Sequence, residues 1–254
     1  MSSVGQSIQS KIAVLSLSRL VATPRGRHFL FGFLADAEAS DENAVFDTLA
    51  ARIDDPRLQR LVKRHQDDEF RHARLMREAC VRAHPGPLPE IPDTLRVVFR
   101  IDHHAGGVAA KFAANSAGIM ETCVLLQVME ERAVREYPAL VRALQPVDPA
   151  AARALADIVR DEIRHVKYVQ AISRRYAPDA QVLEATLARY RRAEQRAFIE
   201  HRAAFLAHVV EHDLLGVGRA QRRLWRLIAA FALWGSTRRR DAPGRTPVTS
   251  AAPS

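Results

Sequence analysis

Apolar residues recur along most of this chain at spacings of three and four, and strict alternation is missing. A period near 3.6 marks helices that bury one face. Phe31, Leu34, Glu38, Val45 and Leu49 form one stripe, within a helix A expected over about 28–53. Leu58, Val62, His65, Glu69, His72 and Met76 form the next, in a helix B over about 56–83. Met120, Cys123, Gln127, Glu130, Val134, Tyr137, Val141 and Leu144 trace a helix C over about 114–144. Leu155, Ile158, Glu162, His165, Val169 and Ile172 trace a helix D over about 149–175. Two further helices are expected over about 181–212 and 217–235.

The punctuation fits these elements. Asp54-Asp55-Pro56 and Asp148-Pro149 each offer an N-cap acid followed by a proline at the first helical position. The short A–B turn makes those helices antiparallel neighbours. Residues 84–112, with His84-Pro85-Gly86-Pro87, Pro89, Pro92 and Gly106-Gly107, form a long connection. It carries a short helix over Asp93–Ile101 and an exposed pair, His103 and His104. The expected fold is all-α: an antiparallel four-helix bundle with a long B–C crossover and two additional C-terminal helices. Residues 1–27 read as a loose lead whose short helix, Ile12–Val21, ends at Pro24-Arg25-Gly26. Residues 28–176 read as the bundle, 177–235 as helices packed on it, and 236–254 as a disordered tail.

Composition narrows the picture. The formal charge is +9, but the arginines are spread over nearly every helix, which favours a solvated basic surface over a nucleic-acid footprint. Two cysteines, Cys80 and Cys123, make no disulfide framework. No apolar run reaches the ~18 residues of a membrane span, and Met1–Gln9 is polar, so the cytoplasm is the expected compartment. Leu224–Trp234, flanked by Arg222, Arg223 and Arg238–Arg240, suits packing on its own bundle, on a partner subunit, or on an anionic membrane surface.

The chemistry lies in the charged residues that interrupt the apolar stripes. Asp68-Glu69-Phe70-Arg71-His72 and Asp161-Glu162-Ile163-Arg164-His165 both read D-E-x-R-H, 93 positions apart (161 − 68). Glu and His three apart share a helix face. Two such helices, plus one Glu from each of two more, make the ligand set of a di-iron or di-manganese carboxylate centre. The metal candidates are Glu38, Glu69, His72, Glu130, Glu162 and His165. Glu38 stands level with Glu69 across the turn, with Glu42 its rival. Glu130 lies on the helix C stripe, although the 93-residue offset from Glu38 lands on Glu131. Four carboxylates against two ferrous ions give a neutral loaded set. A histidine ligand usually gives its second N–H to a carboxylate, so Asp68 is expected on His165 and Asp161 on His72, with Arg71 and Arg164 screening both acids. His65, one turn before Glu69, is a seventh ligand, a supporting residue or simply buried. Tyr137, two turns beyond Glu130, is either a catalytic tyrosine or a core one. His201, His208 and His212 share a face of the fifth helix with Phe205, without a carboxylate to complete a metal set.

Glu38, Asp68-Glu69-x-x-His72, Glu130 with Tyr137-Pro138, and Asp161-Glu162-x-x-His165 together resemble the ferritin-like superfamily: rubrerythrins, bacterioferritins and bacterial di-iron carboxylate oxygenases. The resemblance covers about 28–176. It implies a non-haem centre of two iron ions, or one manganese and one iron, and chemistry with O2 or peroxide. The chain has no rubredoxin-like Cys-x-x-Cys, so an external electron donor is expected. The reading is an O2-dependent oxidoreductase acting on a small organic substrate, with a homodimer and peripheral membrane contact through 222–240 as further expectations. The alternatives are a ferroxidase or peroxide scavenger, a tRNA-modifying hydroxylase, and a non-enzymatic helical module that docks on membrane or nucleic acid.

Overall fold

A computed structural model describes residues 3–39, 43–105 and 118–240, and among these there is no strand. The helices are α1 (Ser3–Ala22), α2 (Pro24–Glu38), α3 (Asn43–Arg52), α4 (Pro56–Ala83), α5 (Val97–Ala105), α6 (Ile119–Leu144), α7 (Pro149–Tyr176), α8 (Ala180–Glu211) and α9 (Arg219–Arg240). The fold is all-α, as the periodicity requires.

The caps act as their residue types predict. Asp55 accepts from Arg57 N at 2.8 Å and Asp148 from Ala151 N at 2.9 Å, each ahead of a proline at N1. These bonds satisfy amides that have no intrahelical partner. Their burial faces match the stripes: Val62, His72 and Met76 on α4, and Leu155, Ile158, Glu162, His165, Val169 and Ile172 on α7, are all 0–1% exposed.

Three expectations are corrected. Helix A is two helices, α2 and α3, because α2 ends at Glu38; Ser40–Glu42 lie outside the described residues, so the rival Glu42 does too. Pro24-Arg25-Gly26 starts a helix instead of ending one. Thr23 caps it through a 2.9 Å bond from Gly26 N, and proline at N1 loses no hydrogen bond. The lead segment is helical from Ser3, and its last turn is buried through Leu20 and Val21 in the main core. The fourth difference concerns the connection. His104 is half-buried and faces Glu200 Oε1 at 3.1 Å, since α5 packs on α8; the His103 side chain lies outside the described set. So do Gly106-Gly107, the expected start of helix C and the tail 241–254, while α9 runs on to Arg240.

α2 and α3 pack along α4, α6 along α7, and α4 against α7. α8 lies over α5 and α6, and α9 over α8. The proline-rich connection closes on α2 at Gly32, where a Cβ would stand 2.2 Å from Pro89 Cγ. No described helix is long and apolar enough to cross a membrane. Trp225 faces inward at 7% exposure, whereas Leu224, Leu227 and Phe231 are 58%, 69% and 71% exposed.

Candidate metal centre

The 3.6-residue period turns His65, Glu69 and His72 of α4 to one side, and Glu162 and His165 of α7 to the facing side. Glu130 comes from the middle of α6 and Glu38 from the last residue of α2. All seven meet. His65, Glu69, Glu130, Glu162 and His165 form one group, and Glu38, Glu69, His72 and Glu162 a second; in each, one donor atom from every residue lies within 4.8 Å of the others. Glu69 and Glu162 belong to both groups.

Inside the first group, His65 Nε2 lies 2.8 Å from Glu69 Oε1 and 3.1 Å from Glu130 Oε1, and His165 Nδ1 lies 2.7 Å from Glu162 Oε2. Inside the second, His72 Nδ1 lies 3.4 Å from Glu162 Oε1 and 3.8 Å from both Glu38 Oε2 and Glu69 Oε2. Glu131 is excluded from the cluster. It accepts from Gln127 at 2.7 Å and pairs with Arg191 at 2.8 Å, so the stripe argument for Glu130 holds and the 93-residue offset fails on α6.

A charged ring surrounds the cluster. Asp68 Oδ2 lies 3.3 Å from His165 Nε2, and Asp161 Oδ2 lies 3.4 Å from His72 Nε2, the crossed pairing expected from the repeat. Arg71 binds Asp68 at 2.9 Å and also Asp161; Arg164 binds Asp68 at 2.5 Å and Asp161 at 2.6 Å. Each acid therefore touches both guanidiniums and one imidazole. Burial alone would raise Asp68, but the bonds from Arg71 and Arg164 overcome it and hold the carboxyl at about 2. A permanent anion on Nε2 keeps that nitrogen protonated and leaves Nδ1 free to face inward.

Tyr137 donates to Glu38 Oε1 at 3.0 Å. Burial, then the Glu38 charge, pushes its phenol well above the ordinary value, so it remains a donor. His65 is part of the cluster itself. Its Nδ1 meets the Tyr168 hydroxyl, and its ring stacks on His165 at 3.6 Å between centroids. Tyr168 was not singled out from the sequence, although its i+3 position after His165 is the signal that places it on the same stripe.

The metal-free cluster is electrostatically divided. Burial, then repulsion from Glu38, raises Glu69 to about 8; burial, then Glu130, pushes Glu162 well above its usual range. Burial opposes ionisation of Glu38 as well, but bonds to Glu69 and His72 carry it down to about 2. Burial would discharge the imidazoles, yet the facing glutamates raise His65 to about 9 and His72 to about 10. Burial and the His65 charge depress His165 to about 4.

These residues fit a metal. His65 Nε2, Glu69 Oε1 and His72 Nδ1 are buried without a hydrogen-bond partner despite their short contacts. Buried polar atoms left unpaired are rare and costly, and all three point into the cluster. Imidazole and carboxylate donors without thiolate suit first-row ions such as iron, manganese or zinc. Cys80 and Cys123 are buried free thiols, Cys80 donating to His28 O at 3.1 Å, and neither belongs to either donor group. Among the described residues, His201, His208 and His212 form no such group; His208 stacks on Phe29 and His201 on Phe33.

A cavity of about 210 Å³ opens beside the cluster. Its lining includes Glu38, Glu69, Glu130, Glu162 and Tyr137, the apolar Phe33, Leu126 and Met129, and Arg132, Phe198 and His201. No family model matches the chain, and neither a curated protein nor a solved structure matches it.

Proposed function

We propose that the cluster holds two iron ions, or one manganese and one iron, in a ferritin-like four-helix arrangement, and that the protein is an O2-dependent oxidoreductase acting on a small organic substrate. The observation that carries this is the pair of overlapping donor groups sharing Glu69 and Glu162, with three unpaired buried donor atoms aimed inward. His65, Glu130 and His165 would hold one ion, Glu38 and His72 the other, and the two shared glutamates both. Bound iron supplies one-electron redox chemistry toward O2 that no side chain offers.

The chain's own part is positional and electrostatic. Asp68 and Asp161 fix the orientation of His165 and His72, and Arg71 and Arg164 keep those acids ionised. Tyr137 lines the cavity and steadies Glu38 by donating its one O–H to it. Phe33, Leu126 and Met129 exclude water from the space next to the cluster. That largely apolar space beside the cluster favours substrate oxidation over ferroxidase or peroxide scavenging, which need no organic pocket. Electrons would come from an external donor. Leu224, Leu227 and Phe231 on α9 support peripheral membrane contact as an added property.

Protein purified without chelator is expected to contain about two redox metal ions per chain. Ferrous loading without oxygen, then exposure to air, should consume O2 and change the near-ultraviolet spectrum. Substoichiometric metal that loading cannot correct, or a loaded sample inert to O2, overturns the proposal.

A further inference from the structure

The cavity lining includes a buried arginine with one open donor. Arg132 is 9% exposed; its Nε donates to Glu194 Oε1 at 2.9 Å, but its Nη2 is buried with no partner. Its guanidinium lies 4.2 Å over the Phe198 ring, which fixes its plane. Arg132 and Glu194 are the buried pair; Arg135, which shares Glu194 at 3.1 Å, and Arg202, which pairs with Glu136 at 2.6 Å, are about half exposed. What is left open is the Arg132 Nη2 donor, and a buried donor without an acceptor is costly.

His201 stands beside it, 8% exposed, held between Phe33 and Phe198 at 5.6 and 6.0 Å between ring centroids. Burial, then the Arg132 charge, lowers it to about 4, so the ring is neutral near pH 7. A neutral imidazole carries one donor and one acceptor nitrogen, and Nδ1 is buried and unpaired. The lining thus combines an open guanidinium N–H and a neutral imidazole with the glutamates of the cluster and apolar walls.

We infer that the cavity binds a small organic monocarboxylate, its acid group on Arg132, a neighbouring hydroxyl or amine on His201 Nδ1, and its apolar body directed toward the cluster. This names the substrate class of the site proposed above and rests on that reading for the chemistry, though not for the binding. The glutamates on the wall do not repel the acid, since four belong to the cluster and Glu136 is neutralised by Arg202 and Arg135. At about 210 Å³ the space is below the roughly 300 Å³ at which pockets for drug-sized ligands begin, so the acid is small. An arginine with one N–H on a carboxylate and another left open can read an acid group directionally.

The test is calorimetry of the metal-loaded protein with hexanoate, 2-hydroxyhexanoate and hexanamide as probes. Hexanoate should bind at least tenfold more tightly than hexanamide, and the hydroxy acid more tightly again. Arg132→Lys keeps the charge facing Glu194 but loses the open N–H, and should remove at least tenfold from both acids without affecting the amide. His201→Phe should erase only the advantage of the hydroxyl. Ala133→Phe fills the cavity from α6 without touching Arg132 and should abolish binding of all three, with an unchanged melting temperature showing that it folds. Equal affinity for acid and amide, acid binding that survives Ala133→Phe or is unaffected by Arg132→Lys (which would place the acid on the metal), or no binding of either acid, overturns the inference. The same titrations on zinc-loaded and metal-free protein separate the two readings. Arg132-dependent acid binding in a chain that holds no redox metal leaves this inference standing and removes the oxidoreductase; a metal-replete chain indifferent to acids does the reverse.

Discussion

Loading the cluster with two divalent ions must expel protons, and the number follows from its charges. In the metal-free chain near neutral pH, Glu69, raised to about 8, and Glu162, raised well above its usual range, hold their protons. His65 at about 9 and His72 at about 10 are cationic, His165 at about 4 is neutral, and Glu38 and Glu130 are anionic. Two imidazoliums balance two carboxylates. With metal, four carboxylates balance two divalent ions and all three imidazoles are neutral. The surrounding ring is balanced in both states, with Asp68 and Asp161 against Arg71 and Arg164. The difference is one proton each from Glu69, Glu162, His65 and His72, about four per pair of ions; a departure by one leaves a net buried charge costing several kcal/mol. Because protons leave on binding, affinity rises with pH. Near pH 7 the overall constant for two ions should climb by about four powers of ten per pH unit. The slope should shrink above about pH 8, as Glu69 and then His65 deprotonate unaided. The assay is calorimetric titration with Zn2+, which has no redox chemistry, in buffers of different ionisation enthalpy. Glu69→Gln should release about one proton fewer. Release of one proton or none at pH 7 would refute the reasoning, since the cluster would then already be ionised without metal.

Asp68→Asn removes the anion from His165 Nε2 and one acceptor from each arginine, and metal affinity should fall by about 10–100-fold in chelator competition. Glu130→Gln should cost one of the two ions, whereas Glu131→Gln, which loses only contacts to Gln127 and Arg191, should retain both; metal analysis of the two proteins decides. His201 links stability to acid. Its folded pKa lies below the unfolded 6.5, so between about 6.5 and 4 the unfolded chain binds the extra proton. The stability is fully present above 6.5 and is lost as pH falls toward 4, by up to about 3 kcal/mol. Urea melts of His201→Phe across this window should show a flatter pH dependence than the parent protein.

The repeat shows how far local pattern reaches. D-E-x-R-H on a helix places Glu69 with His72, and Glu162 with His165, whatever the tertiary fold, because residues three apart share a face. Asp-Pro starts and the apolar stripes likewise belong to single helices, so α4 and α7 were legible within a residue. The crossed Asp68–His165 and Asp161–His72 contacts were legible as well, since two like helices set face to face must exchange such partners. By contrast, the end of α2 at Glu38 was not legible, because no residue in the apolar stripe announces it.

Helical periodicity is a property of the chain with its neighbours left out, and it determined the all-α class, the facing Glu-His pairs and the choice of Glu130 over Glu131. Tertiary packing alone decided that His65 joins the cluster, that Tyr168 supports it, and that Arg132 is buried with an open N–H instead of solvated. The reason is that the degree of burial of a polar side chain depends on the helix laid across it. For Arg132 that helix is α8, which contributes Glu194, Phe198 and His201 from some sixty residues away.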